Sequence, residues 1–133
     1  MRTVSAVLAL FLGLSVIPAT ATPMRTAAVG DRMGSLVVGM SKIDSGRTGQ
    51  CGDVSVKIFD YIVPGRPLDE DHASFIGAWA YDRLVVLVAF DEGDLTAPLQ
   101  VYADLDGKGV ITDTWTADDA PNGCELIQRA RQA

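Results

Sequence analysis

The amino-acid sequence predicts a mostly β fold: a small antiparallel β-sandwich or curled sheet of about five to six strands, with a short C-terminal helix. Val54 to Ile58 alternates apolar and polar residues, the pattern of a half-buried strand. Leu84 to Phe90 is apolar and rich in β-branched residues, as expected of a central strand that is covered on both faces. Asn122 followed three residues later by Glu125 is a helix-capping pattern, which places the helix at the C-terminus.

The first half of the domain contains two predicted strands. Ser35 to Ile43 forms the first, and the glycine-containing stretch Asp44 to Asp53 is predicted to be a loop. The second runs from Val54 to Val63. Its alternation changes parity near Phe59, so either a bulge lies there or both faces become covered. A helix over this stretch is the alternative, and the β-branched content favours the strand.

The second half is predicted to form two hairpins. Residues 74–81 and 84–90 pair across Asp82-Arg83, with a helix beginning at Asp71 as the alternative to the first strand. Asp91 to Pro98 follows as an acidic loop. Leu99–Leu105 and Val110–Thr116 form the clearer hairpin, around the turn Asp106-Gly107-Lys108-Gly109.

The N-terminus has the three parts of a secretory signal peptide. Arg2 precedes an uncharged apolar core from Val4 to Ile17, and Ala19-Thr20-Ala21 fits the small-residue cleavage pattern. The core is shorter than the roughly 20 apolar residues that span a bilayer. We therefore expect residues 1–21 to be a cleaved signal peptide, 22–34 a flexible lead-in and 35–133 one small domain. The expected location is secreted or periplasmic, with no membrane span after cleavage.

The chain has two cysteines, Cys51 and Cys124. An even count in an exported protein predicts a disulfide, and their wide separation disfavours a redox pair. The 11 basic and 17 acidic residues give a net charge of −6, which disfavours nucleic acid and anionic membranes as partners.

Asp104 to Asp113 resembles a calcium loop of the EF-hand or dockerin kind. Asp104 and Asp106 match the first and third ligand positions, and Gly109 matches the turn glycine. However, Lys108 replaces the fifth ligand and Trp115 the closing acid. We therefore expect an Asp-Gly hairpin turn in which Lys108 partly neutralises the aspartates, and no metal site. Asp104, Asp106 and Asp113 are the weak candidate ligands.

Residues 75–115 resemble strands of the sugar- and haem-binding β-sandwiches of the DOMON and family-9 carbohydrate-binding kind. The resemblance rests on Tyr81-Asp82, the apolar alternation through Phe90, and Tyr102 with Asp104. It covers only part of the chain, and we transfer no function from it. Four aromatic residues are candidates to face a ligand, although core positions are expected of a domain this small: Trp79, Tyr81, Tyr102 and Trp115.

No catalytic set is predicted. His72 is the only histidine, and Ser74 beside it has no nucleophile elbow. Paired carboxylates for glycoside cleavage would need two acidic loops to converge, and their candidates are Asp69, Asp71, Asp91, Glu92 and Asp94. The expectation is a non-catalytic binding or interaction module without a cofactor, with a protein or glycan partner in the envelope. The alternatives are a small secreted carboxylate-dependent hydrolase, or a weak calcium- or carbohydrate-binding β module.

Overall fold

A computed structural model describes residues 24–26, 31–91 and 94–131. In these ranges the chain forms one open antiparallel sheet, and each strand pairs with its neighbours in sequence. Six strands follow one another from Ser41 to Thr116, and a three-residue strand adds to the first edge. The elements are β1 (Met24–Thr26), β2 (Ser41–Cys51), β3 (Val54–Ile62), β4 (Phe75–Ala80), β5 (Arg83–Asp91), β6 (Asp94–Ala103), β7 (Asp113–Thr116) and helix α1 (Gly123–Ala130). The predicted mostly β fold with a C-terminal helix is confirmed, in its single-sheet form rather than as a sandwich.

The predicted signal peptide, residues 1–21, lies outside the described residues. In the described ranges, no helix has the length and apolar character that a bilayer crossing requires. The predicted lead-in, 22–34, contributes Met24–Thr26 to the sheet and the fully buried Met33 to the core. The packed part of the chain therefore begins no later than Asp31, which is itself buried.

The predicted first strand, Ser35–Ile43, is wrong for most of its length. Residues 34–39 form turns, and β2 begins only at Ser41. The predicted loop Asp44–Asp53 is instead mostly the remainder of β2. Gly46 adopts a φ of 76° within a bulge between Asp44 and Arg47. The glycine that suggested a loop thus serves to bend a strand.

Strand β3 is confirmed, and it alternates without a bulge. Val56 and Ile58 pack into the core beneath α1, whereas Phe59 and Tyr61 pack on the opposite face. The change of parity near Phe59 therefore arises because both faces of the sheet become covered. We call the face under α1 the helix face and the other the opposite face.

Each face has its own cover. On the helix face, α1 contributes the buried Leu126 and Ile127 to the main apolar cluster. On the opposite face, residues 31–40, which we call the crossing segment, place Met33 and Val37 over the sheet. Burying each of these side chains stabilises the fold by about 1.5–3 kcal/mol. The sheet is thus the middle layer between a helix and an irregular segment.

The remaining strands largely follow the predicted hairpins. The pairing of β4 with β5 is confirmed, and the alternative helix at Asp71 is reduced to one 3-10 turn over Glu70–His72. The predicted acidic loop Asp91–Pro98 is wrong for most of its length, because β6 already begins at Asp94. In the last hairpin β7 begins at Asp113, so residues 104–112 form a longer loop than predicted.

Helix α1 is fixed at its start by the predicted cap and by the predicted disulfide. The Asn122 side chain accepts a hydrogen bond from the Cys124 backbone nitrogen at 2.8 Å. The Cys51–Cys124 disulfide is confirmed, with Cα atoms 5.3 Å apart. It joins α1 to the end of β2, beside the β2–β3 turn.

Candidate functional site

A cleft of about 220 Å³ opens at the end of the sheet where β4 turns into β5 and β6 leaves for β7. The crossing segment reaches the same place through Arg32. The lining residues come from three separate parts of the chain: Arg32, Asp82, Arg83, Leu84, Asp104, Gly107, Lys108 and Gly109. Because it combines basic side chains with a shaped concavity, this cleft is the candidate site.

The wall of the cleft is the 104–112 loop, which is built around the buried carboxylate of Asp104. One carboxylate oxygen accepts a hydrogen bond from the Gly107 nitrogen at 2.9 Å, and the other accepts one from the Gly109 nitrogen at 2.8 Å. Both glycines adopt a φ of 77°, which favours glycine over other residues. The Asp104 side chain therefore fixes the conformation of the loop through hydrogen bonds from the loop's backbone nitrogens.

Arg83 joins this loop to the rest of the fold. One guanidinium nitrogen (Nη1) donates a hydrogen bond to the Asp104 backbone oxygen at 2.6 Å and lies 3.5 Å from the Asp104 carboxylate. The side chain also lies against Gly107, where an added Cβ would meet the Arg83 Nε at 3.3 Å. Arg83 thus forms the floor of the cleft, and its charge is already opposed by Asp104.

Asp82 lines a second side of the cleft, and the turn that it forms with Tyr81 has a strained conformation. The φ angles of Tyr81 and Asp82 are 56° and 59°, the geometry of a two-residue type I′ hairpin turn that normally uses Asn-Gly. The left-handed region costs a residue with a Cβ roughly 1–2 kcal/mol. The Tyr81 hydroxyl donates to the Ile127 backbone oxygen at 2.6 Å, which attaches this turn to α1. Such strain is concentrated at functional sites.

Arg32 and Lys108 supply the available positive charge. Both side chains are exposed, and neither forms an ion pair within the described ranges. Arg32 packs across Gly109, where an added Cβ would lie 3.0 Å from the Arg32 Cβ and Nε. The absence of a side chain at position 109 therefore lets Arg32 pack against the loop where it lines the cleft.

An apolar strip adjoins the charged rim. Val110 and Ile111 follow the lining residue Gly109 and are 47% and 37% exposed. Ile111 lies beside the crossing segment, since an added Cβ at Gly34 would meet its side chain at 3.5 Å. The site therefore offers cations next to exposed aliphatic groups.

The weak metal candidates do not form a ligand set. Asp104 is buried and committed to the loop, Asp106 is exposed, and Asp113 begins β7. Across the described ranges, no three His, Cys, Asp or Glu residues form a group that could hold a metal ion. The charge beside the Asp104 carboxylate comes from Arg83 and not, as predicted, from Lys108.

The predicted acidic loops lie at the other end of the sheet. The β3–β4 connection and the β5–β6 turn meet there, and the Phe90 nitrogen donates to the Ser74 oxygen at 3.2 Å. Asp69 pairs with His72 at 2.7 Å on the surface. Thr96 donates hydrogen bonds to the Asp94 carboxylate, which lowers the pKa of Asp94. Glu92 lies outside the described residues, and a catalytic carboxylate pair at this end stays the alternative that the sequence leaves open.

The candidate aromatic residues are not on one face. Trp79 and Tyr102 border the cluster on the opposite face, whereas Trp115 borders the one on the helix face. Tyr81 is 37% exposed and precedes the lining residue Asp82. A ligand-facing role for these residues stays a prediction.

Sequence reasoning missed Arg32, Asp82 and Arg83 as site residues. Asp82-Arg83 is predicted only as the connection between two strands, and Arg32 lies in the predicted lead-in, so no binding role is predicted for them. Comparison with protein families, characterised proteins and solved structures found no match to this chain.

Proposed function

We propose that this chain is an exported, non-catalytic binding module that holds an acidic segment of a protein partner in the cleft at Arg32 and Lys108. The observation that carries the proposal is the pair of exposed cations on the cleft rim, which have no ion-pair partner in the described ranges. A carboxylate on the partner would supply the missing charge.

The size of the cleft favours a segment of a partner over a small-molecule substrate. Ligand and cofactor pockets usually have volumes of about 300–1,000 Å³, whereas this cleft has about 220 Å³. It has room for a side chain or a chain end that a larger partner inserts. The aliphatic strip at Val110 and Ile111 would then contact the apolar part of that partner.

The charges within the cleft favour carboxylates over more highly charged anions. Asp82 also lines the cleft, and it would repel a dianion more strongly than a single carboxylate. The chain as a whole carries a net charge of −6. At physiological ionic strength its distant carboxylates are screened beyond about 8 Å, so the nearby cations dominate.

The hydrolase alternative has less support at this cleft. The carboxylates that line the cleft are those of Asp82 and Asp104, and both oxygens of Asp104 accept backbone hydrogen bonds. A carboxylate held in this way maintains the loop and is poorly placed to transfer protons. A neutral glycan is also disfavoured, because no aromatic side chain of the described residues lines the cleft for stacking.

The first test uses a tetraglutamate peptide as the probe, at physiological ionic strength. We expect weak, salt-sensitive binding by calorimetry, and about a three- to tenfold loss of affinity when Arg32 and Lys108 are both replaced by alanine. Lys57→Ala, which removes an exposed cation from β3, serves as the matched control and should bind like the wild type. Equal affinity in all three proteins, or no binding, would argue against the cleft.

The second test concerns export. N-terminal sequencing of the mature protein should give Thr22 as the first residue, because Ala19-Thr20-Ala21 fits the cleavage pattern. A mature protein that begins at Met1 would refute the export part of the proposal.

The third test concerns the partner. Immobilised wild type should retain a protein of the envelope fraction that the Arg32→Glu/Lys108→Glu variant does not retain.

A further inference from the structure

The crossing segment is anchored by a buried ion pair that no sequence pattern predicted. The Lys42 ammonium lies 2.5 Å from the Asp31 carboxylate, and the two side chains are 5% and 1% exposed. Tyr61 donates a second hydrogen bond to the same carboxylate oxygen at 3.1 Å. A pair this deeply buried is costly to break, because the remaining buried charge would lose its partner at hydrogen-bond distance.

Aromatic side chains enclose the Lys42 ammonium. It lies 4.2 Å from the centre of the Phe59 ring and 3.8 Å from that of the Trp79 ring, within cation–π distance. The Trp79 indole nitrogen donates to the Tyr61 hydroxyl at 2.9 Å, so the rings and the ion pair share one network. β2, β3 and β4 thus present a preformed socket for the Asp31 carboxylate.

Asp31 is the immediate neighbour of Arg32. After Asp31, the Arg32 side chain packs against Gly109 and the Met33 side chain is fully buried. The Gly34 backbone nitrogen then donates a hydrogen bond to the Gly109 backbone oxygen at 2.9 Å. The cation on the cleft rim is therefore one residue away from an anchor on the opposite face of the sheet.

We infer that Lys42 is a positioning residue for the cleft: by holding Asp31 it holds Arg32 in place to meet an anionic partner. This inference rests on the proposed function for its binding consequence. Lys42 itself is buried and does not line the cleft. Its effect passes through the crossing segment, whose placement depends on a compensated charge at Asp31.

The first experiment measures trypsin cleavage after Arg32, which needs no ligand. In the wild type the Arg32–Met33 bond is protected, because Met33 is fully buried. We expect Lys42→Met to speed this cleavage about tenfold or more, since the buried Asp31 carboxylate then lacks the ammonium at 2.5 Å that holds the segment on the sheet. The double variant Asp31→Asn/Lys42→Met removes both charges and should restore protection to nearly the wild-type level.

Hydrogen exchange separates segment release from unfolding. In Lys42→Met, amides of residues 34–40 should lose protection while those of β5 keep it. If Lys42→Met unfolds the whole chain, the milder Asp31→Asn is measured instead. It should show the same selective loss in the crossing segment, and wild-type protection there would overturn the inference.

The second experiment measures tetraglutamate affinity in the same variants. Lys42→Met should lose about as much affinity as Arg32→Ala, and the double variant should recover it. A released segment with unchanged affinity would refute the positioning role while leaving the cleft intact. If the wild type does not bind the peptide, the proposed function fails, and the proteolysis result alone decides whether Lys42 anchors the segment.

Discussion

Cys51 and Cys124 join the last residue of β2 to the first turn of α1, across 73 positions of sequence. The bond lies at the end of the sheet that also carries the cleft. Around it, the Gln128 side chain donates to the Cys51 backbone oxygen at 3.0 Å, so helix and strand are held by side-chain contacts as well. The disulfide therefore closes a long loop of the chain at a place where α1 and β2 are already in contact.

Removing this disulfide should lower the free energy of unfolding by about 4 kcal/mol, because a long loop regains its conformational freedom in the unfolded chain. Denaturant unfolding of Cys51→Ala/Cys124→Ala measures the effect. Reduction of the wild type should give the same shift. Two alkylatable thiols in the folded wild type would contradict the bond itself.

The Tyr81-Asp82 turn offers a stabilising substitution. Asp82→Gly should raise the free energy of unfolding by about 1 kcal/mol, because glycine adopts the positive φ of 59° without a Cβ clash. Asp82→Ala removes the same carboxylate but keeps the Cβ, so it should not stabilise. Equal melting temperatures for the two variants would show that the turn is not strained.

Gly77 lies where two side chains meet across the sheet. An added Cβ there would lie 2.7 Å from Leu84 Cδ1 and 2.8 Å from Tyr61 Cε1. Gly77→Ala should therefore cost about 1–3 kcal/mol through overpacking, as measured by chemical denaturation. Ser55→Ala, at an exposed position of β3, is the control and should change little. A Gly77→Ala variant with an unchanged free energy of unfolding would mean that the Leu84 and Tyr61 side chains can move aside at little cost.

Asp104 should respond to mutation but not to calcium. Asp104→Ala should destabilise the protein by about 3 kcal/mol, because Arg83 loses its buried partner and the loop loses its cap. We expect calcium to leave the melting temperature of the wild type unchanged, and the exposed Asp106→Ala to be nearly neutral. Calcium binding tighter than the millimolar range, lost in Asp104→Ala, would be the opposite result.

Asp53 and Arg131 connect the β2–β3 turn to the end of α1 at 2.9 Å. The hydrogen bond and the charge of Arg131 lower the pKa of Asp53 in the folded protein. The stabilising contribution is therefore present at neutral pH and is lost as the pH falls through this lowered pKa. An NMR titration should show the midpoint of Asp53 rising in Arg131→Ala and not in Arg129→Ala, whose arginine pairs with Glu125 instead. An unchanged midpoint in Arg131→Ala would exclude this pairing in solution.

Local sequence patterns were sufficient for β3, β5 and the helix start. The alternation of β3, the apolar run of β5 and the Asn122 cap each depend on near neighbours, and each predicted element is present. Cysteine parity likewise predicted the Cys51–Cys124 bond, because two cysteines permit a single intramolecular pairing. The glycine-rich stretch after Ile43 led to a wrong loop prediction, because the positive φ of Gly46 occurs in a bulge within β2 and not in a loop.

The assembly of the candidate site from three parts of the chain was decided by tertiary structure. Arg83 and Lys108 are far apart in sequence and come together because a meander places alternate turns at the same end of the sheet. Arg32 joins them because the crossing segment packs against Gly109. The Asp31–Lys42 pair is equally hidden, because a buried charge is tolerated only where a partner from elsewhere in the chain compensates it. Local sequence patterns indicate which residues become buried. Whether a charged residue finds a partner of opposite charge depends on distances between parts of the chain that only the folded structure defines.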